Sequence, residues 1–336
     1  MKPSKKQVKK AGETLAADPK DSTAMEVLSQ WRSLHAYPIN AFQPLIRKHI
    51  SKLGLKETTV AQRLKRTPSI IKKIQRFDGM NLARMQDIGG LRVIVKTIDD
   101  VYRLHNSLIS GKHQHKPLLP PKDYIKQPKA DGYRSLHQVF KYSATTHSES
   151  DELNIELQIR TQLQHYWATA VEILGLIENA SIKTGGGSDE HKRFFKLASV
   201  LFAKQECTVI DDDFTDVPTE TIIQEIKTIE QKLQVFQKLQ SWVVSSKHIT
   251  STKTTGENYY LMQLDTVNKT LSLTPFSKMQ ADQAENIYKL LEIQNVDRPH
   301  IELVLISTKD LKEIKKAYPN YFLDSHKFIK HLKQLL

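Results

Sequence analysis

Apolar residues along this chain recur with two periods, and the changes between them outline its elements. From Leu153 to Arg160 the period is two: Leu153, Ile155, Leu157 and Ile159 fall on one side, Asn154, Glu156, Gln158 and Arg160 on the other. Side chains alternate across a strand, so the segment predicts a strand that buries one face and displays an acid, an amide and a base on the other. Leu91 to Val95 and Leu136 to Ser143 predict two further strands. Helices are predicted from Met25 to Leu53, with an interruption at Ala36-Tyr37-Pro38, from Asp99 to Ser110, from Thr161 to about Asn179, and over 191–206. Residues 1–24 read as a polar, loosely ordered segment. Residues 111–135 read as a long loop carrying proline, glycine and lysine, and loops of that length are often functional.

The pattern shifts after Asp211-Asp212-Asp213 and Pro218, which read as a linker. Ile222, Ile226, Ile229, Leu233 and Phe236 follow at spacings of 4, 3, 4 and 3, a helix with an apolar seam that can pack within the chain or between chains. Strands at 258–265, 270–275 and 300–306, a helix near 280–292 and two terminal helices complete a second, smaller α/β unit.

Charge narrows the partners. Among 336 residues the net charge is +13, with 39% hydrophobic and 26% charged residues. The excess of lysine and arginine favours a polyanionic partner, a nucleotide or a nucleic acid. Apolar runs such as Leu303 to Ile306 fall far short of the roughly 20 residues of a membrane span, and the lysine-rich start has no apolar stretch behind it, so a cytoplasmic chain is expected. One cysteine, Cys207, makes neither an internal disulfide nor a cysteine zinc site.

Four stretches carry candidate chemistry. Residues 61–76 hold six basic residues, Arg63, Lys65, Arg66, Lys72, Lys73 and Arg76, and no acid. They suit a triphosphate and a stacked base, or form a solvated helix face. Asp87-Ile88-Gly89-Gly90-Leu91-Arg92 puts a carboxylate at a strand entrance, a suitable ligand for Mg²⁺, which takes few carboxylates plus phosphate oxygens; it also reads as a plain turn. Lys122 to His137 gathers Lys122, Lys129, Tyr133, Arg134 and His137 in one glycine-containing loop, with an aromatic platform and phosphate-binding cations. Glu156, beside Gln158 and Arg160, can bind a metal or accept a proton, or simply be an exposed residue of a half-buried strand.

In this order the four stretches resemble the synthetase domain of the RelA/SpoT alarmone family, over residues 25–205. The resemblance implies an α+β fold, a mixed β-sheet flanked by helices of nucleotidyltransferase-like type, plus a smaller C-terminal α/β domain. It implies a Mg²⁺-dependent pyrophosphokinase with ATP as donor. Asp87 and Glu156 are then the catalytic, metal-binding carboxylates. Arg63 and Arg92 sandwich adenine, and Lys65 and Lys73 hold ATP phosphates. Lys122, Lys129, Tyr133, Arg134 and His137 lie on the acceptor side, Tyr133 stacking on the acceptor base. Asp131 departs from the family's asparagine before Gly-Tyr, which puts plain GDP or GTP as acceptor in question. The family's hydrolase half has no counterpart here.

The segments Trp31 to Pro38, Trp167 to Glu172 and Tyr318-x-x-Tyr321 are similar to the CapRel-type fused toxin–antitoxin branch. That likeness implies pyrophosphorylation of the tRNA 3′ CCA end and inhibition of translation in anti-phage defence. It also implies autoinhibition by Tyr318 and Tyr321 in the adenine site until a phage protein binds. The alternative acceptor is GDP or GTP. The organisation expected is a basic segment at 1–24, the pyrophosphokinase domain at 25–207, a linker and seam helix at 208–245 and a regulatory domain at 246–336.

Overall fold

The structure is a computed structural model that describes residues 2–77, 79–177, 188–241, 258–268, 270–295, 298, 300–308 and 325–336. Its centre is an eight-stranded mixed sheet. The strands are β1 (Thr59–Leu64), β2 (Gly89–Val95), β3 (Lys116–Asp123), β4 (Leu136–Lys141), β5 (Asn154–Thr161), β6 (Asn258–Asp265), β7 (Thr270–Phe276) and β8 (Ile301–Thr308), in the spatial order β3-β4-β5-β2-β1-β8-β6-β7. All neighbouring pairs are antiparallel except β2 and β5, which run parallel with Leu91 opposite Leu157 and Val93 opposite Ile159.

The alternation read from Leu153 to Arg160 holds. Ile155, Leu157 and Ile159 join Leu91, Val93 and Val95 on one buried face, under helices α3 (Ala36–Lys52) and α5 (Ile98–Ile109), which contribute Ile39, Phe42, Ile46, Val101, Leu104 and Leu108. On the opposite face, α6 (Gln162–Ile177) and α7 (Asp189–Gln205) form a second core around Trp167, Phe194, Phe195 and Phe202. The Trp167 indole N–H donates to the Phe195 carbonyl at 2.7 Å.

Two local expectations are corrected. Residues 5–17 form helix α1 (Lys5–Ala17), not a loose segment. Ser4 and Gln7 make a reciprocal capping box, and Val8, Ala11 and Leu15 are buried against Leu28 and Trp31 of α2 (Ser22–Ser33) and Ile70 of α4 (Thr67–Arg76). Gly12 permits the approach: a Cβ there would stand 2.8 Å from Leu82 Cβ. The 111–135 loop contains a strand, β3, at one edge of the sheet. Its Pro117, Pro120 and Pro121 mask it in the sequence, because proline lacks a donor and is tolerated only where the ladder is incomplete.

The C-terminal strands extend the same sheet. β8 pairs with β1 at Gln62–Ser307 and Arg63–Ile306, and β6 and β7 follow. α10 (Ala281–Gln294) packs on one side of them with Ala284 and Tyr288 against Leu261, Phe276 and Leu303. On the other side α11 (His326–Leu335) sets Phe328 against Phe195 and Phe202. The seam helix breaks into α8 (Thr219–Leu233) and α9 (Val235–Ser241) at Gln234, whose φ is +53°, and Ile222, Ile226 and Phe236 pack within the chain. Of the two terminal helices expected, α11 is described; Tyr318 and Tyr321 lie outside the described residues. Among the described residues no helix is long and apolar enough to cross a membrane.

Leu15 is fully buried, so Leu15→Ala should cost about 2–5 kcal/mol of unfolding free energy. Denaturant melts of the two chains check this; a loss near zero would mean that α1 is not part of the folded body.

Candidate active site

The register places the candidate residues on one face of one sheet. Arg92 on β2 is opposite Ala61 on β1 and Gln158 on β5; Gly90 is opposite Arg63 and Glu156; His137 on β4 is opposite Gln158. Arg63, Arg92, Glu156, Gln158, Arg160 and His137 therefore project to the same side, away from the α3/α5 core. Lys122 on β3, exposed, sits opposite His137 and extends the row. The two glycines act differently. A Cβ on Gly89 would come within 3.0–3.1 Å of Ile39, His35 and Ile155, so its absence lets α3 lie close on the sheet. Gly90 leaves a gap on the polar face between Arg63 and Glu156.

Asp87 stands at the mouth of β2 between two ammonium groups. Lys65 Nζ donates to Oδ2 at 3.0 Å and Lys73 Nζ to Oδ1 at 2.9 Å. Burial alone would raise the carboxyl, but Lys65 and Lys73 outweigh it and hold Asp87 down at about 2. Burial pushes the Lys65 ammonium down, while Asp87 supports its charge. The pair thus favours the carboxylate more than the lysine, and with two cations on one acid the ionised Asp87 is the firm assignment. The lysines expected on ATP phosphates are here gathered on the expected metal ligand.

Glu156 is held on both oxygens: His137 Nδ1 lies 3.0 Å from Oε1 and Gln158 Nε2 donates to Oε2 at 2.8 Å. Burial would raise this carboxyl, His137 lowers it, and the net direction is down although the charge of Asp87 opposes it. The other His137 nitrogen lies 2.9 Å from the Tyr133 hydroxyl. Burial pushes the Tyr133 phenol up, against the pull of Arg160 and Arg92. Lys129 Nζ sits 4.5 Å from the ring centre of Tyr124 and 5.0 Å from that of Tyr133. Its ammonium is lowered by burial, and Lys122 and Lys73 add like charge while Asp131 and Glu156 oppose the shift. Lys129 thus lies close enough to Lys73 and to Glu156 for both charges to act on it.

Arg134 is corrected. It is buried, with Nε on Ser199 Oγ at 3.2 Å and Nη1 on the carbonyls of Val209 at 2.6 Å and Ile125 at 3.3 Å, so it ties its loop to α7 and the chain beyond. Those bonds hold it among internal oxygens, with Asp211 3.7 Å from its remaining nitrogen. Asp131 accepts the Tyr133 N–H at 2.9 Å, an Asx turn that asparagine would make equally well. Arg160 and Tyr124, noted in the sequence without a site role, also join the site. Arg160 is on the polar face yet buried beneath Tyr133, and burial and the neighbouring Arg92 pull it down to about 9. The signal was its place four residues beyond Glu156 on an alternating strand; what hid it was the cover supplied by α6.

Among the described residues no group of three or more His, Cys, Asp or Glu could hold a metal. Asp87 and Glu156, both ionised at neutral pH and close enough to perturb each other, fit a hard cation that brings most of its ligands with it as phosphate and water oxygens.

Residues 62–173 match the family profile described as "Region found in RelA / SpoT proteins". GTP pyrophosphokinase YjbM of Bacillus subtilis is 35% identical over 112 residues, 33% of this chain and 52% of that protein. GTP pyrophosphokinase YwaC of the same organism is 33% identical over 113 residues, 32% of this chain and 52% of that protein. The chain thus spans about half the length of these curated relatives. Among solved structures, small alarmone synthetase 1 of Bacillus subtilis bound to its product pppGpp overlaps 60% of this chain and 94% of its own, at 23% identity and a TM-score of 0.44. Arg63, Lys65, Lys73, Asp87, Arg92, Lys122, Lys129, Tyr133, His137 and Glu156 all lie in the span that matches the RelA/SpoT profile.

Proposed function

We propose that the chain is a pyrophosphokinase that moves the β,γ-pyrophosphate of ATP to a ribose 3′-hydroxyl. The observation that carries this reading is the pair of ionised carboxylates, Asp87 and Glu156, flanked by Lys65 and Lys73 on one side and by His137, Tyr133 and Lys129 on the other. The acceptor oxygen forms a bond to the β-phosphorus, the bond from that phosphorus to the α-phosphate oxygen breaks, and AMP leaves. Asp87 and Glu156 would hold Mg²⁺, which when bound neutralises charge on the phosphoryl oxygens. Lys65 and Lys73 turn from Asp87 to the triphosphate. Arg63 and Arg92, on adjacent strands of one face, clasp the adenine. Glu156, kept ionised and oriented by His137 and Gln158, receives the proton of the attacking hydroxyl at a carboxylate oxygen. Tyr133, with Tyr124 beside it, offers the acceptor base a stacking face.

The acceptor we favour is the 3′ end of tRNA. Lys5, Lys6, Lys9 and Lys10 are exposed on α1, outside the matched span, and α1 packs against α4, which carries Lys73 and the exposed Lys72 and Arg76. A nucleotide site has no use for that outlying charge; a tRNA backbone does. The names of the two relatives favour GTP instead, and the Asx turn of Asp131 weakens the objection to it. In the tRNA reading the 246–336 unit is regulatory, with Tyr318 and Tyr321 as the plug that a phage protein removes, and the product arrests translation in the cytoplasm.

Asp87→Asn and Glu156→Gln should each lower transfer of label from γ-labelled ATP by at least about 10²-fold; full activity in either would remove that residue from the mechanism. Ionised Asp87 sits below its ordinary 3.8, at about 2. Its stabilising share is therefore present above about pH 4 and is lost as pH falls from there toward 2. Acid unfolding of Asp87→Asn should accordingly be shallower over that window than that of the parent, as read by circular dichroism.

Label appearing on tRNA and not on GDP would establish the first acceptor; the reverse would establish the second. With tRNA, Lys9→Gln and Lys10→Gln should each weaken binding at low salt and flatten the salt dependence of log K by up to about one unit of slope. A slope unchanged by both would mean that α1 does not touch the acceptor.

A further inference from the structure

Glu292, on α10 in the C-terminal half, is buried and held by residues of the N-terminal half. Its Oε2 accepts from Arg32 Nη1 at 2.8 Å and from the Thr67 hydroxyl at 2.8 Å, and its Oε1 accepts the Thr67 N–H at 3.2 Å. The Tyr288 hydroxyl also donates to it, and the Arg32 guanidinium lies 4.6 Å from the Tyr288 ring centre. Arg32 in turn donates through Nε to the Lys65 carbonyl at 2.7 Å.

These contacts lead directly to Asp87. Lys65, gripped at its carbonyl by Arg32, donates its N–H to the Ile88 carbonyl at 2.7 Å and its ammonium to Asp87. Thr67 is the first residue of α4, and the same helix carries Lys73 to the other Asp87 oxygen. One carboxylate from the C-terminal half therefore fixes both the residue bearing the first lysine and the start of the helix bearing the second. A buried ion pair is an expensive way to hold two elements together, since apolar side chains of similar volume often serve as well. Its geometric specificity is what apolar packing would not supply.

We propose that Glu292 is a positioning residue for ATP: acting through Arg32 and Thr67, it sets where Lys65 and Lys73 stand about Asp87, so the ATP side of the site is complete only with β6–β8 and α10 in place. The inference rests on reading the site as ATP-using. It divides the C-terminal half into a permanent structural part, which carries Glu292, and the segment around Tyr318 and Tyr321, to which the switch was assigned. Removal of the whole half should then weaken ATP binding rather than release it.

Binding of MgATP to the full chain is measured by calorimetry, with melting temperature as a parallel readout. Glu292→Gln leaves Arg32 buried without its countercharge and should lower the melting temperature and raise Kd by about tenfold, the scale of one charge-assisted contact. Arg32→Met with Glu292→Met removes both charges and should recover much of the melting temperature, yet keep the raised Kd. Thr67→Val, which deletes one hydroxyl and leaves the ion pair, should raise Kd about threefold with little change in melting temperature; it decides the matter if the double variant does not fold. Parent-like Kd in a folded double variant, or in Thr67→Val, overturns the inference while leaving the ATP reading standing. A parent chain that binds no MgATP overturns the ATP reading and this inference together.

Discussion

Because β2 and β5 run parallel, Gly90 falls opposite Glu156 and Arg92 opposite Gln158, and the acid that precedes β2 lies close enough to the acid within β5 for its charge to act on it. Parallel neighbours cannot be joined by a tight turn; they need a crossover. Here the crossover is α5, β3 and β4, and its last strand brings His137 back beside Gln158 while the loop between β3 and β4 delivers Lys129, Tyr133 and the Asx turn at Asp131. An antiparallel pairing of the same two strands would have sent Asp87 to the far end of the sheet from Glu156. The apolar face of this pair, from Leu91 to Ile159, is what fixes the register: a slip of one residue would exchange Glu156 for Leu157 on the polar side.

Electrostatics follows from that placement. Two carboxylates on one face disfavour each other's charge, and each keeps it through its own cations or donors: Lys65 and Lys73 for Asp87, His137 and Gln158 for Glu156. Burial lowers the ammoniums of Lys65 and Lys129 and the guanidinium of Arg160, and neighbouring cations add to each shift. A site crowded with partly desolvated charges of both signs stores attraction for a ligand that brings its own phosphate charge and a metal.

Of the N-terminal strands β2, β4 and β5 were legible in the sequence, and Glu156 was legible because it sits on the polar phase of β5, the one that alternates most clearly; β1 escaped because its residues run into the basic segment 61–76. What escaped has physical causes. β3 escaped because three prolines replace strand formers at an edge that tolerates them. α1 escaped because its lysines outnumber the buried Val8, Ala11 and Leu15, although Ser4 and Gln7 spell a capping box. Arg134 was misread because a basic residue in a phosphate-binding loop looks alike whether it faces a ligand or three internal oxygens. Arg32 and Glu292 are 260 positions apart, and no local pattern pairs them.

The C-terminal half shows why such a pair is kept. β1 would otherwise present an edge beside Arg63, and exposed edges invite unwanted pairing. Among the described residues β8 covers it at Gln62–Ser307 and Arg63–Ile306. Further contacts fix the docking away from the ladder: the Arg66–Glu302 ion pair and the buried Arg32–Glu292 pair, which Thr67, next to Arg66, joins through its hydroxyl. A slipped β8 would leave Arg32 and Glu292 both charged and unpaired in an apolar setting, a penalty of several kcal/mol against the misregistered state. The ion pair thus acts chiefly by excluding wrong dockings. Arg66 and Thr67, the residues that lead into α4, are fixed by carboxylates of the C-terminal half, so one docking geometry serves both the sheet seam and the helix that delivers Lys73 to Asp87.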